Sequence, residues 1–236
     1  MIRYFVLLLV FISFNLKAQI KSPSEFLGYD IGTQFTRHAD VVNYFYYVAN
    51  NSDLVTYGNY GKTNERRLLT YAIVSSKENL ENIELIKTNN LINAGIKEGA
   101  ANPEIAIVWL SYNVHGNEAS STEAAMQTLY ELIVDKKLWL ENTVIIIDPC
   151  VNPDGRDRYV NWYNQVKASP YDTNQNATEH NEPWPSGRPN HYLFDLNRDW
   201  VWASQVETKQ RLKLYNQWMP HIHVDFHEQG INEPYY

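Results

Sequence analysis

The 236-residue chain contains one cysteine, Cys150, so no disulfide can form within it and no disulfide-stapled small fold applies. Placed after an apolar run, the thiol reads as a small buried hydrophobe, and no adjacent base marks it as a nucleophile. A basic block is also lacking. Acidic residues outnumber Lys and Arg by 27 to 20, which makes nucleic acid and anionic membrane surfaces poor partners. Neither an internal repeat nor a low-complexity linker divides the chain. Its longest apolar stretch, Tyr4 to Phe14, falls short of the roughly 20 residues that a membrane span takes.

That stretch follows Arg3 and precedes Leu16-Lys17-Ala18, so residues 1–18 read as a secretory signal peptide cleaved after Ala18. No cysteine stands at the junction to carry a lipid. The expectation is an exported protein, periplasmic or extracellular, with no stable membrane anchor after cleavage. Loss of the two basic residues Arg3 and Lys17 takes the formal charge from −7 to −9.

With 44% hydrophobic and 14% aromatic residues, the remainder can bury one sizeable core. Residues 19–54 read as a lead and a helix, with Thr36 as the expected cap and Val41, Val42, Tyr44, Phe45 and Val48 as the apolar face. Strands are expected at Val55–Tyr60, Leu68–Val74, Ile105–Leu110, Val144–Ile147 and His221–Phe226. Helices are expected at Lys77–Ile86, before Gly99, at Thr122–Asp135 and at Ala203–Trp218, the last stopped by Pro220. This alternation predicts an α/β fold with a mixed, mainly parallel sheet flanked by helices. Between Cys150 and Trp200 the periodicity is lost. The stretch reads as a long functional loop, with Asn152-Pro153-Asp154-Gly155 as a turn.

Ligands of such sheets gather at the carboxyl ends of strands. Three candidates lie there: His115, Asp148-Pro149 and His227. In His115-Gly116-Asn117-Glu118 a tight bend lets an imidazole and a carboxylate converge, and both are ligand types that Zn²⁺ accepts. His227 is the expected third ligand, with His221 and His223 as rivals and Asp225 as a carboxylate that orients a ligand histidine. Three protein ligands leave a fourth position for water. In Asp195-Leu196-Asn197-Arg198-Asp199-Trp200, a guanidinium beside an amide can hold a substrate carboxylate, or Arg198 can pair with Asp199.

In this order the motifs resemble the zinc carboxypeptidase family, the carboxypeptidase A-like metallocarboxypeptidases, over about residues 55 to 230. The resemblance implies one Zn²⁺ per chain held by His115, Glu118 and His227. It implies that Asn197 and Arg198 bind the free C-terminal carboxylate of a peptide or protein substrate. It further implies an arginine that stabilises the oxyanion, for which Arg158 and its rival Arg156 follow the Asn-Pro-Asp-Gly stretch. The family's general-base glutamate falls beyond Tyr236, and Glu228 is too close to His227 to replace it. Residues 55–236 are therefore expected to be the N-terminal part of a catalytic domain, truncated before that glutamate. Alternatives are a zinc amidase or peptidase acting on cell-wall peptides, and a zinc- and carboxylate-binding fragment without catalysis.

Overall fold

A computed structural model describes residues 19–102 and 105–230. The expected signal peptide and the closing Pro234-Tyr235-Tyr236 lie outside the described residues. Among the described residues five strands form one sheet in the order β1-β2-β4-β3-β5: β1 (Val55–Lys62), β2 (Leu68–Val74), β4 (Thr143–Asp148), β3 (Ala106–Tyr112) and β5 (Ile222–Phe226). β1 and β2 form an antiparallel hairpin and β2 meets β4 antiparallel, whereas β3 runs parallel to both β4 and β5. The sheet is thus mixed and flanked by helices.

Alternation along the central strands supplies two apolar faces. Ile145 and Ile147 join α2 (His38–Asn51) and α5 (Ser120–Val134) in one core through Val41, Phe45, Met126 and Leu129. Val144 and Ile146 face the other way, with Ile107 and Trp109, toward Leu214 and Trp218 of α7 (Val206–Trp218). Residues 19–54 share the first core: Phe26 of α1 (Pro23–Leu27) packs edge-on against Tyr44 at 5.3 Å. Among the described residues no helix is long and apolar enough to cross a membrane.

Three local expectations are corrected. Thr36 does not cap α2, which begins after Arg37; its N–H and hydroxyl both donate to the Glu123 carboxylate at 2.7 Å. The helix expected over Lys77–Ile86 breaks at Asn82 into α3 (Lys77–Glu81) and α4 (Ile83–Asn93). The Asn152-Pro153-Asp154-Gly155 turn is instead the start of a helix, α6 (Pro153–Val166). Asn152 caps it by accepting from Gly155 N–H at 3.0 Å, and Pro153 occupies the first turn, where its missing N–H costs nothing.

At the carboxyl ends of β4, β3 and β5 the second face turns polar: Asp148, Ser111 and Asp225 stand side by side in register. Arg211 of α7 lies fully buried there, stacked on Trp200 with 3.9 Å between guanidinium carbon and ring centre. Asp148 is also fully buried, with Oδ2 accepting from the Tyr60 hydroxyl at 2.7 Å. Burial pushes its carboxyl up to about 7 and nearby Asp225 adds to the rise, while Arg211 and the Tyr60 hydrogen bond oppose it. An unfolded aspartate titrates near about 4. Between about pH 4 and 7 the unfolded chain has lost this proton and the folded chain keeps it, so the group's stabilising contribution falls as pH rises through that window. Asp148→Asn, which preserves an acceptor for Tyr60, is expected to flatten that part of the stability profile in urea melts; parallel profiles for variant and wild type would refute the shift.

Candidate metal centre

Asn113, with φ of +59°, turns the chain out of β3 toward α5. The left-handed conformation suits an asparagine better than most side chains. His115 and Glu118 come next, and Glu118 N–H donates to the His115 carbonyl at 3.1 Å, which closes the bend. Gly116 fits only because it has no side chain. A Cβ there would stand 2.2 Å from the Arg156 nitrogen and 2.4 Å from the Gly187 carbonyl oxygen. The bend is therefore pressed between the start of α6 and the 186–188 segment.

His227, just beyond β5, reaches the same point. Its Nδ1 lies 3.2 Å from His115 Nδ1 and 3.1 Å from Glu118 Oε2, while His115 Nδ1 lies 2.8 Å from Glu118 Oε1. The ligand atoms of the three residues all fall within 4.8 Å of one another. Each histidine also has a carboxylate at its outer nitrogen. Asp195 Oδ1 is 2.9 Å from His115 Nε2, and Asp225 Oδ2 is 3.4 Å from His227 Nε2. Were a metal bound, these carboxylates would take the ring protons on the outer nitrogens and leave both Nδ1 lone pairs to the ion; without it, Nδ1–H of His115 donates to Glu118. Two neutral nitrogens and one carboxylate oxygen are a donor set that suits zinc, so the residues present fit it. Burial by itself would raise the Glu118 carboxyl. Hydrogen bonds from His115 and from the Glu228 N–H hold it below its ordinary value, with charge interactions from His115 and His227 acting the same way.

The rival histidines are engaged elsewhere. His221 Nδ1 accepts from Ile107 N–H at 3.0 Å, and His223 Nε2 meets the Ser111 hydroxyl at 3.0 Å. A second cluster of Glu65, Asp154 and His191 already holds a cation of its own, since Arg67 pairs with both Glu65 and Asp154.

Neither arginine expected at the oxyanion position lines this cleft. Arg156 is fully buried, bonding the Thr36 and Ala119 carbonyls at 2.9 and 2.8 Å and Glu123 at 2.6 Å. Arg158 donates to the carbonyls of Ser186 at 2.8 Å and Asn190 at 3.2 Å. The arginine at the cluster is Arg188, which no sequence motif marks. Its NH1 is 3.2 Å from Glu118 Oε1 and its NH2 is 3.5 Å from Asp195 Oδ2, with the side chain 45% exposed. Asn197 lines the cleft, its Nδ2 3.4 Å from His227 Nε2. Arg198 is exposed and donates to the Asn197 carbonyl at 3.2 Å; Asp199 instead accepts from Ser204 and Gln205. The Glu228 carboxylate turns away onto Ser120, accepting from its N–H at 2.8 Å and its hydroxyl at 2.6 Å.

A model of the zinc carboxypeptidase family matches residues 41–223. The chain belongs to that family. The match spans His115, Glu118, Asn197 and Arg198 and ends short of His227, so the place of His227 in the cluster rests on geometry. Carboxypeptidase 2 of Trichophyton rubrum and that of Trichophyton tonsurans are each 30% identical over 125 residues, 51% of this chain but 18% of theirs. Two solved structures share the fold. Carboxypeptidase A from Helicoverpa armigera has a TM-score of 0.54 and 15% identity, covering 89% of this chain and 48% of that one. A metallo-carboxypeptidase from Burkholderia cenocepacia has a TM-score of 0.51 and 15% identity, covering 81% and 40%. The chain therefore spans less than half the length of either enzyme.

Gly116→Ala tests the packing of the bend. Its methyl meets backbone rather than a yielding side-chain tip, so the expected loss is at least the roughly 1–3 kcal/mol of ordinary overpacking. Denaturant melts read it, and wild-type stability in the variant would contradict the close approach.

Proposed function

We propose that this member of the zinc carboxypeptidase family holds one zinc ion between His115 Nδ1, the Glu118 carboxylate and His227 Nδ1. We further propose that the site serves an exported carboxypeptidase acting on peptides or proteins with a free C-terminal carboxylate. The observation that carries the metal reading is the convergence of two inward Nδ1 atoms on one carboxylate, each ring braced from behind by Asp195 or Asp225. Zinc, when bound in such a site, lowers the pKa of a coordinated water toward ~7 and polarises a carbonyl.

The chain's own residues supply the surroundings of that chemistry. Arg188 brings a half-exposed positive charge to the rim, where it can stabilise an oxyanion as negative charge develops. Asn197 presents an amide to the same cleft, and the neighbouring exposed Arg198, one nitrogen of which donates to the Asn197 carbonyl, has further N–H groups to offer a substrate carboxylate. The two carboxylates lining the cleft are committed, Glu118 to the histidines and Glu228 to Ser120. Proton transfer therefore has no identified base among the described residues. That observation favours one alternative, a site that binds zinc and a carboxylate without hydrolysis. Export rests on the leader-like residues 1–18.

Exchanging both His115 and Glu118 for Ala is expected to abolish stoichiometric zinc binding in titration calorimetry; retained binding would sink the metal assignment. With a panel of free and C-terminally amidated peptides, the proposal requires dependence on the free carboxylate. Arg198→Ala should then raise KM about 10- to 100-fold, the worth of a charge-assisted hydrogen bond. Chelator-sensitive hydrolysis decides for catalysis, and zinc binding with no turnover decides for the binding alternative.

A further inference from the structure

The His115–Glu118 bend is organised around a single side-chain amide. Asn113 is completely buried, and its Nδ2 faces three main-chain carbonyls: His115 at 2.7 Å, Glu118 at 2.8 Å and Gly116 at 3.3 Å. Only a donor fits there. Its Oδ1 lies on the opposite side, where Cys150 Sγ and Arg156 NH1 approach at 3.4 and 3.5 Å. A flipped amide would set an oxygen against three carbonyl oxygens and an NH₂ against a guanidinium, so its surroundings fix its orientation. Arg156, in turn, is immobilised by the Ala119 and Thr36 carbonyls and by Glu123.

We propose that Asn113 is a positioning residue that pre-forms the ligand bend, setting His115 and Glu118 in their converging geometry before a metal arrives, and that Arg156 locks the amide in place. The physical reason is entropic and electrostatic together. A four-residue bend has carbonyls that water would otherwise solvate in many conformations. One buried amide that binds three of them selects a single arrangement, and the cost of ordering is met during folding rather than at metal binding. The Asn113 backbone is itself left-handed, so the same residue both turns the chain and templates the His115–Glu118 segment. This inference rests on the zinc reading, but its first test does not need the metal.

In the metal-free wild-type chain, the Glu118 amide should exchange with deuterium far more slowly than an open loop amide. Fast exchange that becomes slow only on adding zinc would overturn the proposal. Two substitutions then separate the amide from the backbone. Asn113→Gly keeps a left-handed conformation available and deletes the amide; Asn113→Asp keeps the shape and replaces the donor by an acceptor. Both are expected to weaken zinc affinity about 10- to 100-fold, the usual effect of removing support behind a ligand. Both should also accelerate Glu118 exchange in the metal-free protein. Wild-type zinc affinity in either folded variant would overturn the proposal. Should neither variant fold, the wild-type exchange measurement decides alone. A wild-type chain that protects Glu118 yet binds no zinc would refute the metal reading while leaving the pre-formed bend standing.

Discussion

The Glu118 carboxylate is the point on which the site depends. It is 8% exposed, and a carboxylate so placed has to recover in hydrogen bonds what it loses in hydration. Contacts from three separate segments achieve this. His115 comes from its own bend, Arg188 from the irregular stretch after α6, and His227 with the Glu228 N–H from the end of β5. Residues far apart in sequence are thereby tied to one oxygen pair. The same convergence that satisfies the carboxylate leaves two imidazole nitrogens facing each other across 3.2 Å.

Three arginines illustrate how surroundings assign tasks that sequence position leaves open. Arg156 sits within a few residues of a helix start, as Arg158 does, and by position alone either suits a developing negative charge. Complete burial binds Arg156 to Glu123 and two carbonyls, because an unpaired interior guanidinium would be very costly. Arg158 ties down the carbonyls of the 186–190 segment. That segment is what carries Arg188 to the cluster. Arg211 is the exception, fully buried with its three nitrogens lacking a protein hydrogen-bond partner and resting on the face of Trp200.

The sheet and its apolar helices were legible in the sequence because each strand is a short hydrophobic run and α5 has a clear buried face. The helix α6 was not. Its first turns are polar and held by charge: Asp154 and Asp157 both pair with Arg67, while Arg156 pairs with Glu123. A helical spacing is there to read farther on, in Tyr159, Trp162, Tyr163 and Val166, and Asn152, Pro153 and Asp154 spell a helix start, but Asn-Pro-Asp-Gly reads equally as a turn. Two site residues went unread for a related reason. Arg188 lies in a Pro- and Asn-rich stretch whose path only the folded chain defines, whereas Asp195 stands two positions before Asn197 inside a motif already singled out.

The position of His227 is set by strand register. β5 lies parallel to β3 with Tyr112 opposite Phe226, and those two rings stack at 4.2 Å with an interplanar angle of 2°. The stack fixes which residue leaves the sheet beside the His115 bend. One residue of slip would move Asp225 from the polar row beside Ser111 to the opposite face and carry His227 away from Glu118. Parallel strands need only agree in register for the residues beyond them to meet, so two histidines separated by 112 positions are brought within contact by an interaction that involves neither of them. The chemistry expected of the cluster is therefore set by an aromatic pair in the sheet, one residue upstream of the third ligand and three upstream of the first.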